Sequence, residues 1–228
     1  MLKREDHQVG YRRVGRIMKE ENLLVQVKWY CKTTFPKKGK SKYPNLLKGL
    51  KIDHPNQIWC GDLTYVRLRR EFVYLAVLMD VFTRGIRGWE LSRSLDEQLT
   101  LRALDKALQK GEPEIHHSDH GVQYLSENYV SKIKDLDISI SLAAKGRPWE
   151  NSYVERLIRT LKDEEIYLHE YDDFNEALRR ISDFIEAVYN QKRPHSALGY
   201  RTPAEFEEDY TSKPLQSFGK AMTDKFFT

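Results

Sequence analysis

Residues 57 to 67, 72 to 82 and 85 to 91 are rich in β-branched and aromatic side chains and are separated by charged turns, so the pattern predicts three consecutive strands in an antiparallel meander. The period then changes. SLDEQLTLRALDKALQK places Leu101, Leu104 and Leu108 on one helical face, with Ser94 or Asp96 available as the N-cap. A short strand at 114 to 117, a helix near 126 to 136, a strand near 137 to 141 and helices at 150 to 165 and 173 to 190 complete the series. Upstream, Val14, Ile17, Met18 and Leu24 are spaced as one amphipathic helix, too small to form a domain alone. KKGKSKYPNLLKGLK, with its Gly, Pro, Ser and lysines, predicts a flexible linker between that helix and the first strand. Beyond the last helix, YNQKRPHSALGYRTPAEF is either a packing clasp or a DNA contact.

At 228 residues, 40% of them apolar and with 4 Trp, 13 Tyr and 9 Phe, the chain can bury one sizeable core and carry appendages, which excludes a disordered chain. The net charge of +4 hides an asymmetry. Residues 1 to 51 carry 14 Lys and Arg against 4 Asp and Glu, whereas 52 to 228 carry 24 against 30. A cationic arm, including Arg12, Arg13 and Arg16, beside an acidic core is the balance expected if the arm grips DNA phosphates and cations neutralise a pocket in the core. The alternative is a solubilising tail. Cys31 and Cys60 are too far apart for a zinc-type pair. No secretory signal is visible, and the longest apolar run, FVYLAVLMDVF, falls well short of the ~20 residues of a bilayer-crossing helix. The expectation is a cytoplasmic protein with access to a bacterial nucleoid.

Candidate chemistry rests on three acids in three kinds of local sequence. Asp62 lies in the strand-like IWCGDLTYV, Asp119 in the strand-to-turn EIHHSDHGVQY, and Glu155 in the amphipathic ENSYVERLIRTLK, with 35 residues between the last two. Three elements converging on one point could hold two divalent cations for an in-line displacement at phosphorus. Among 34 acidic residues such spacing arises easily by chance. Asp119 alone could cap the turn before the following helix, and Glu155 alone could be a surface residue. Asp62, however, stands among Ile58, Trp59, Leu63, Tyr65 and Val66, where an acid calls for a reason. On the helix, Asn151, Glu155, Arg159 and Lys162 share one face beside an apolar stripe of Val154, Leu157, Ile158 and Leu161. Lys162 is then either a solvated lysine or the cation beside a phosphate. In SLAAKGRPWEN, Lys145 and Arg147 are placed to track a DNA backbone, and Trp149 more often anchors such a loop to the core than stacks on a base. His116 fits a strand-end role, while His117 and His120 are candidate neighbours of substrate or metal. Oxygen ligands suit Mg²⁺ or Mn²⁺ better than imidazole does.

WCGDLTYV, HHSDHGVQYLS, AKGRPWENSYVERLIRTLKDE and YNQKRPHSALGYRTPAEF resemble, in order, the signature stretches of the OrfB-type transposases of the insertion-sequence-three family. The resemblance covers roughly residues 50 to 206. That family shares its catalytic core with retroviral integrases. The resemblance implies an α/β protein of the ribonuclease H-like fold, a five-stranded mixed sheet flanked by helices. It divides the chain into a basic helical segment and linker (1–50), a catalytic core (51–206) and a tail (207–228). It further implies Asp62, Asp119 and Glu155 as ligands of two Mg²⁺ (or Mn²⁺) ions, with Lys162 as the basic residue that follows, and DNA cleavage and strand transfer by a homo-multimer on paired element ends. GYRRVGRIMKEENLL looks like the last portion of the family's DNA-recognition region, the remainder being truncated, lost through decay of the locus, or supplied by a separate or frameshift-fused upstream helix-turn-helix product. Glu150 stands where the family usually has Asp, a departure bearing on loop geometry. The other readings are a ribonuclease H-like nuclease without strand transfer and a regulatory DNA-binding remnant.

Overall fold

The structure, a computed structural model, describes residues 10–23, 42–144 and 147–212. Leu24, Cys31, Lys145 and residues 37–41 of the lysine-rich linker lie outside the described residues. Five strands, β1 (Ile58–Arg67), β2 (Phe72–Asp80), β3 (Ile86–Ser92), β4 (Ile115–Ser118) and β5 (Ser139–Leu142), form one sheet in the order β3-β2-β1-β4-β5. The first three are the predicted antiparallel meander, and β1, β4 and β5 run parallel. Among the described residues the helices are α1 (Tyr11–Glu20), α2 (Glu97–Leu108), α3 (Glu127–Asp135), α4 (Ser152–Leu161), α5 (Phe174–Asp183) and α6 (Pro203–Ser212). This is the ribonuclease H-like arrangement. None of these helices is long and apolar enough to cross a membrane.

Strand alternation divides the core between the two faces of the sheet. Ile58, Cys60 and Val66 of β1 join Val73, Leu75, Val77 and Met79 of β2 in packing on Val154, Leu157, Ile158 and Leu161 of α4 and on Ile181 and Ile185. Trp59, Ala76 and Leu78 pack instead on Leu99, Ala103, Leu104 and Ala107 of α2 and on Tyr129 and Ile133 of α3. α2 lies close against β3 because Gly88 has no side chain. A Cβ there would stand 2.2 Å from the Ala103 carbonyl oxygen. Asp96 caps α2 by accepting from the Leu99 amide, the second of the two caps expected.

Several boundaries differ from the periodicity. The last strand starts later than expected because Asp137 takes a left-handed φ of 55° and Ile138 closes the end of α3 through the Ile133 carbonyl. The helix expected at 150 to 165 begins as a 3₁₀ turn over Pro148–Asn151 and ends in a wider turn over Lys162–Ile166, where the Tyr167 amide reaches back five residues to the Lys162 carbonyl. Five residues apart on an α-helix, Leu161 and Ile166 would face different ways; the wider turn keeps both in the core. The helix expected at 173 to 190 widens in the same way over Phe184–Tyr189.

The segment after Tyr189 packs as a clasp. Asn190 exchanges side-chain hydrogen bonds with both backbone groups of Ile86 (3.0 and 3.3 Å), and the Tyr189 hydroxyl donates to the Arg84 carbonyl. Arg193 grips Glu164 with two bonds of 2.8 and 2.6 Å. Phe206 fills a small cluster with Phe82 and Leu198. Arg87 joins the fully buried Asp80 (2.9 Å) to Glu207 of α6 (2.8 Å), so the β2–β3 turn is tied to the end of the described chain.

Candidate active site

The register between the parallel strands β1 and β4 sets two of the acids side by side. Gly61 lies opposite Ser118, the last residue of β4, so Asp62 and Asp119 are the next residues on neighbouring strands. β4 stops there, while β1 runs on to Arg67 with β2 alone at its side, which leaves an open notch at the edge of β1. Asp62 shares a face with Ile58, Cys60 and Val66, the face on which α4 packs. With the apolar stripe of α4 buried, Glu155 is left exposed and brought to the same place.

The electrostatics of Asp62 agree with this placement. The Asp62 carboxyl is pushed up to about 7, first by burial, then by the charge of Asp119 and by that of Glu155, against the opposing pull of Lys162 and of the Leu63 amide, which donates to it at 2.8 Å. Asp119, Glu155 and Lys162 therefore all act on the Asp62 carboxyl. Asp119 is exposed and accepts from the Gly121 amide (2.8 Å), so it shapes its turn as well as facing Asp62. Lys162 is half-buried, and its ammonium lies 4.8 Å from the centre of the Tyr65 ring; burial lowers its pKa and Asp62 opposes that. Among the described residues no three His, Cys, Asp or Glu side chains are drawn close enough to form a ready metal cage.

The histidines serve the framework. His116 is buried against Tyr124 and Tyr129 and bonds the Tyr129 hydroxyl (2.8 Å); burial holds its pKa down at about 3. His117, a candidate neighbour of substrate or metal, has both ring nitrogens engaged, one with the Ser141 hydroxyl (2.8 Å) and the other with the Glu150 carbonyl (3.1 Å). Burial lowers it to about 4. It therefore fixes the loop that leads into α4. His120 has a buried Nε2 without a hydrogen-bond partner.

Several contacts were not legible in the sequence. Glu150 accepts from the Asn45 side chain (2.7 Å) and the Ala144 amide (2.8 Å), with Arg147 and Lys48 at 3.3 and 3.5 Å. Burial opposes its ionisation, but these donors and charges outweigh burial and hold the carboxyl at about 2. The one hint in the sequence was an acid three residues after Arg147 in a Pro-containing loop. Tyr124 lies under Gly61, where a Cβ would meet its hydroxyl at 3.2 Å, and that hydroxyl is buried without a partner.

The DNA-facing candidates fare unevenly. Asn151 is a correction: its side chain is 3% exposed, because the 3₁₀ turn before α4 carries it inward, so it offers DNA no surface in this arrangement. Trp149 is a second correction, since at 64% exposed it is no core anchor. Arg159 is exposed on α4, and Arg147 is exposed but paired with Glu150. Arg12, Arg13 and Arg16 are exposed on α1, none of whose residues is buried, and Arg16 pairs with Glu20.

Comparison with known proteins identifies the lineage. The integrase core domain profile matches residues 52–148, and a second integrase core domain profile matches 136–203. The transposase for insertion sequence element IS904 of Lactococcus lactis subsp. lactis (strain IL1403) is 36% identical over 202 residues, covering 86% of this chain and 80% of that protein. The chain belongs to the insertion-sequence transposases. An uncharacterised 31 kDa protein of insertion element IS600 from Shigella sonnei is 35% identical to the transposase, over 89% of this chain and 76% of that one. The InsF transposase of insertion sequence IS3A from Escherichia coli (strain K12) is 36% identical over 67% of this chain, which spans 54% of it. Solved structures carry the fold. The HTLV-2 integrase catalytic core domain in complex with magnesium (trimeric form) superposes with a TM-score of 0.53 at 20% identity over 67% of the transposase and 97% of that chain. The simian T-cell lymphotropic virus intasome gives 0.62 at 17% identity over 96% and 77%. As a member of this group the transposase is a polynucleotidyl transferase.

Proposed function

We propose that the transposase cleaves the ends of its mobile element and joins the freed strand to another DNA, with Asp62, Asp119 and Glu155 holding two divalent cations, Mg²⁺ or Mn²⁺. The observation that carries this reading is the convergence of three acids from β1, the end of β4 and α4 on a mostly buried carboxyl whose ionisation the other two oppose. An all-oxygen donor set fits hard cations, and a cation among these acids replaces their mutual repulsion with attraction. When bound, such ions supply Lewis-acid stabilisation to the attacking and leaving oxygens at phosphorus. Asp62, central in the sheet, would hold the ions together with Asp119 at the end of β4 and Glu155 on α4.

The protein's own part is positioning. The rigid β1–β4 register fixes Asp62 against Asp119, and the buried stripe of α4 sets the reach of Glu155. Lys162, held over Tyr65 at the notch, is placed to meet a phosphate oxygen. Arg147 and Arg159, with Lys145 beside them in sequence and Arg12, Arg13 and Arg16 on α1, supply cations for the DNA backbone. The transposase acts as a homo-multimer on paired ends, and an upstream helix-turn-helix product completes recognition of those ends.

The test is incubation of the purified protein with a labelled duplex carrying the flanking terminal repeat, in Mg²⁺, Mn²⁺ or EDTA, resolving cut from joined products. Metal-dependent joining that disappears in Asp119→Asn is the expected result. Cuts without joined strands would point instead to a nuclease, and binding without cutting to a regulatory remnant.

A further inference from the structure

The outer face of the β1–β2 hairpin carries a pattern that the fold does not use. Tyr65 is 54% exposed and Phe72 is 52% exposed, and their rings meet edge to face at 5.8 Å. Phe72 pairs directly across the ladder with Arg67, which shares the side of β1 that Tyr65 occupies. Arg67 and Arg70 are exposed, and among the described residues neither has a carboxylate within ion-pair distance. Their neighbours differ. Arg69 is paired with Asp172, and Glu71 is taken by Arg93. The tip is also rigid, since the Leu68 amide closes on Glu71 and the Arg69 amide donates to the Tyr171 carbonyl. Two large exposed rings interleaved with two unneutralised arginines on a fixed hairpin make a surface complementary to a polyanion that has π-faces. This surface is continuous with the candidate active site, because the Lys162 ammonium rests on the Tyr65 ring at the open edge of β1.

We propose that this face is a DNA-contact surface for the strand that leaves the reacting phosphodiester. Tyr65, backed by Phe72, stacks on an unpaired base beside the cut, and Arg67 and Arg70 hold the phosphates that follow. The assignment rests on the reading of Asp62, Asp119, Glu155 and Lys162 as the reaction centre. It adds a stacking platform and two phosphate contacts to the basic residues already considered, and it makes fraying of the DNA end part of recognition.

The experiment uses the full chain and a terminal-repeat duplex with 2-aminopurine at the positions flanking the cut, read by fluorescence and by binding titrations at several salt concentrations. The wild type and Tyr65→Phe are expected to quench the probe. Tyr65→Ser is expected to lose the quench and bind about tenfold more weakly, within the range measured for single base–aromatic stacks. Arg67→Gln with Arg70→Gln is expected to keep the quench and lower the slope of log K against log salt by about 1 to 2. Thermal melts of these exposed-site variants check that each is folded. Unchanged quench in Tyr65→Ser, or an unchanged salt slope in the arginine pair, would overturn the proposal while joining by the wild type leaves the reaction centre standing. An altered oligomeric state with unaltered DNA binding would also overturn it, marking the face as an interface between copies. A wild type that neither binds nor joins the duplex would sink the reaction-centre reading, and this surface with it.

Discussion

Replacing Asp62 by Asn is expected to stabilise the metal-free protein at neutral and alkaline pH. The Asp62 carboxyl moves from its ordinary 3.8 to about 7 on folding, so at a pH where both states are charged, folding carries a penalty of about 4 kcal/mol as an upper bound. The sign follows from proton counts. Between pH 4 and 7 the folded state holds a proton that the unfolded state has released, so stability falls as pH rises through that window. An amide has no such charge, and its oxygen can still accept from the Leu63 amide that now donates to Asp62. The expected gain for Asp62→Asn is near zero at pH 4 and about 2 to 4 kcal/mol at pH 8, or on the order of 5 to 15 °C in Tm for a chain of this size. Burial also lowers His116, His117 and His195 to about 3, 4 and 4, and each costs stability as pH falls below its ordinary 6.5. Those contributions are common to both proteins and cancel in the difference. The assay is thermal or urea unfolding of both proteins in EDTA from pH 4 to 8, repeated with Mg²⁺, which should raise the wild type selectively and close the gap. A gap of equal size at pH 4 and pH 8, or no gap at pH 8, would refute the electrostatic account of the site.

Three further outcomes follow from the geometry. Glu155→Gln should leave DNA binding nearly intact and reduce joining by at least about 100-fold, as removal of a transition-state contact does; equal loss of binding in a gel-shift titration would make Glu155 structural. Gly88→Ala should destabilise by about 3 kcal/mol or more in chemical denaturation, because the Ala103 carbonyl stands 2.2 Å from the new methyl and α2 must move. Glu150→Gln should free the Ala144 amide without unfolding the core, seen as faster hydrogen exchange at that amide, which now donates to Glu150 at 2.8 Å; unchanged exchange there would remove Glu150 from its anchoring role.

Asp62 was legible because it conflicted with its surroundings, whereas Asp119 and Glu155 each fit an ordinary role alone and stood out only together. An acid inside the apolar strand around Asp62 has few structural uses, and the helical period alone put Glu155 and Lys162 beside a buried stripe. The fold followed from strand alternation and the order of elements. The remainder depended on contacts between distant segments that no local pattern encodes. His117 looks available until the register of β4 with β5 places Ser141 against one nitrogen and the loop before α4 places the Glu150 carbonyl against the other. Asn151 shared a face with Glu155 on an ideal helix, but the 3₁₀ turn at Pro148–Asn151 removes it from that face. The anchoring partners of Glu150 include Asn45 and Lys48, about a hundred residues away in sequence.

The clasp formed by residues 189–207 limits how the protein can be cut or fused. A version ending soon after α5 would keep all three acids and Lys162, yet it would strip Phe82 of its cover, leave Glu164 without Arg193, and take Glu207 from a guanidinium that neutralises a buried aspartate. For anyone designing a minimal catalytic fragment, the functional boundary lies past α6, more than forty residues beyond the last acid in the site.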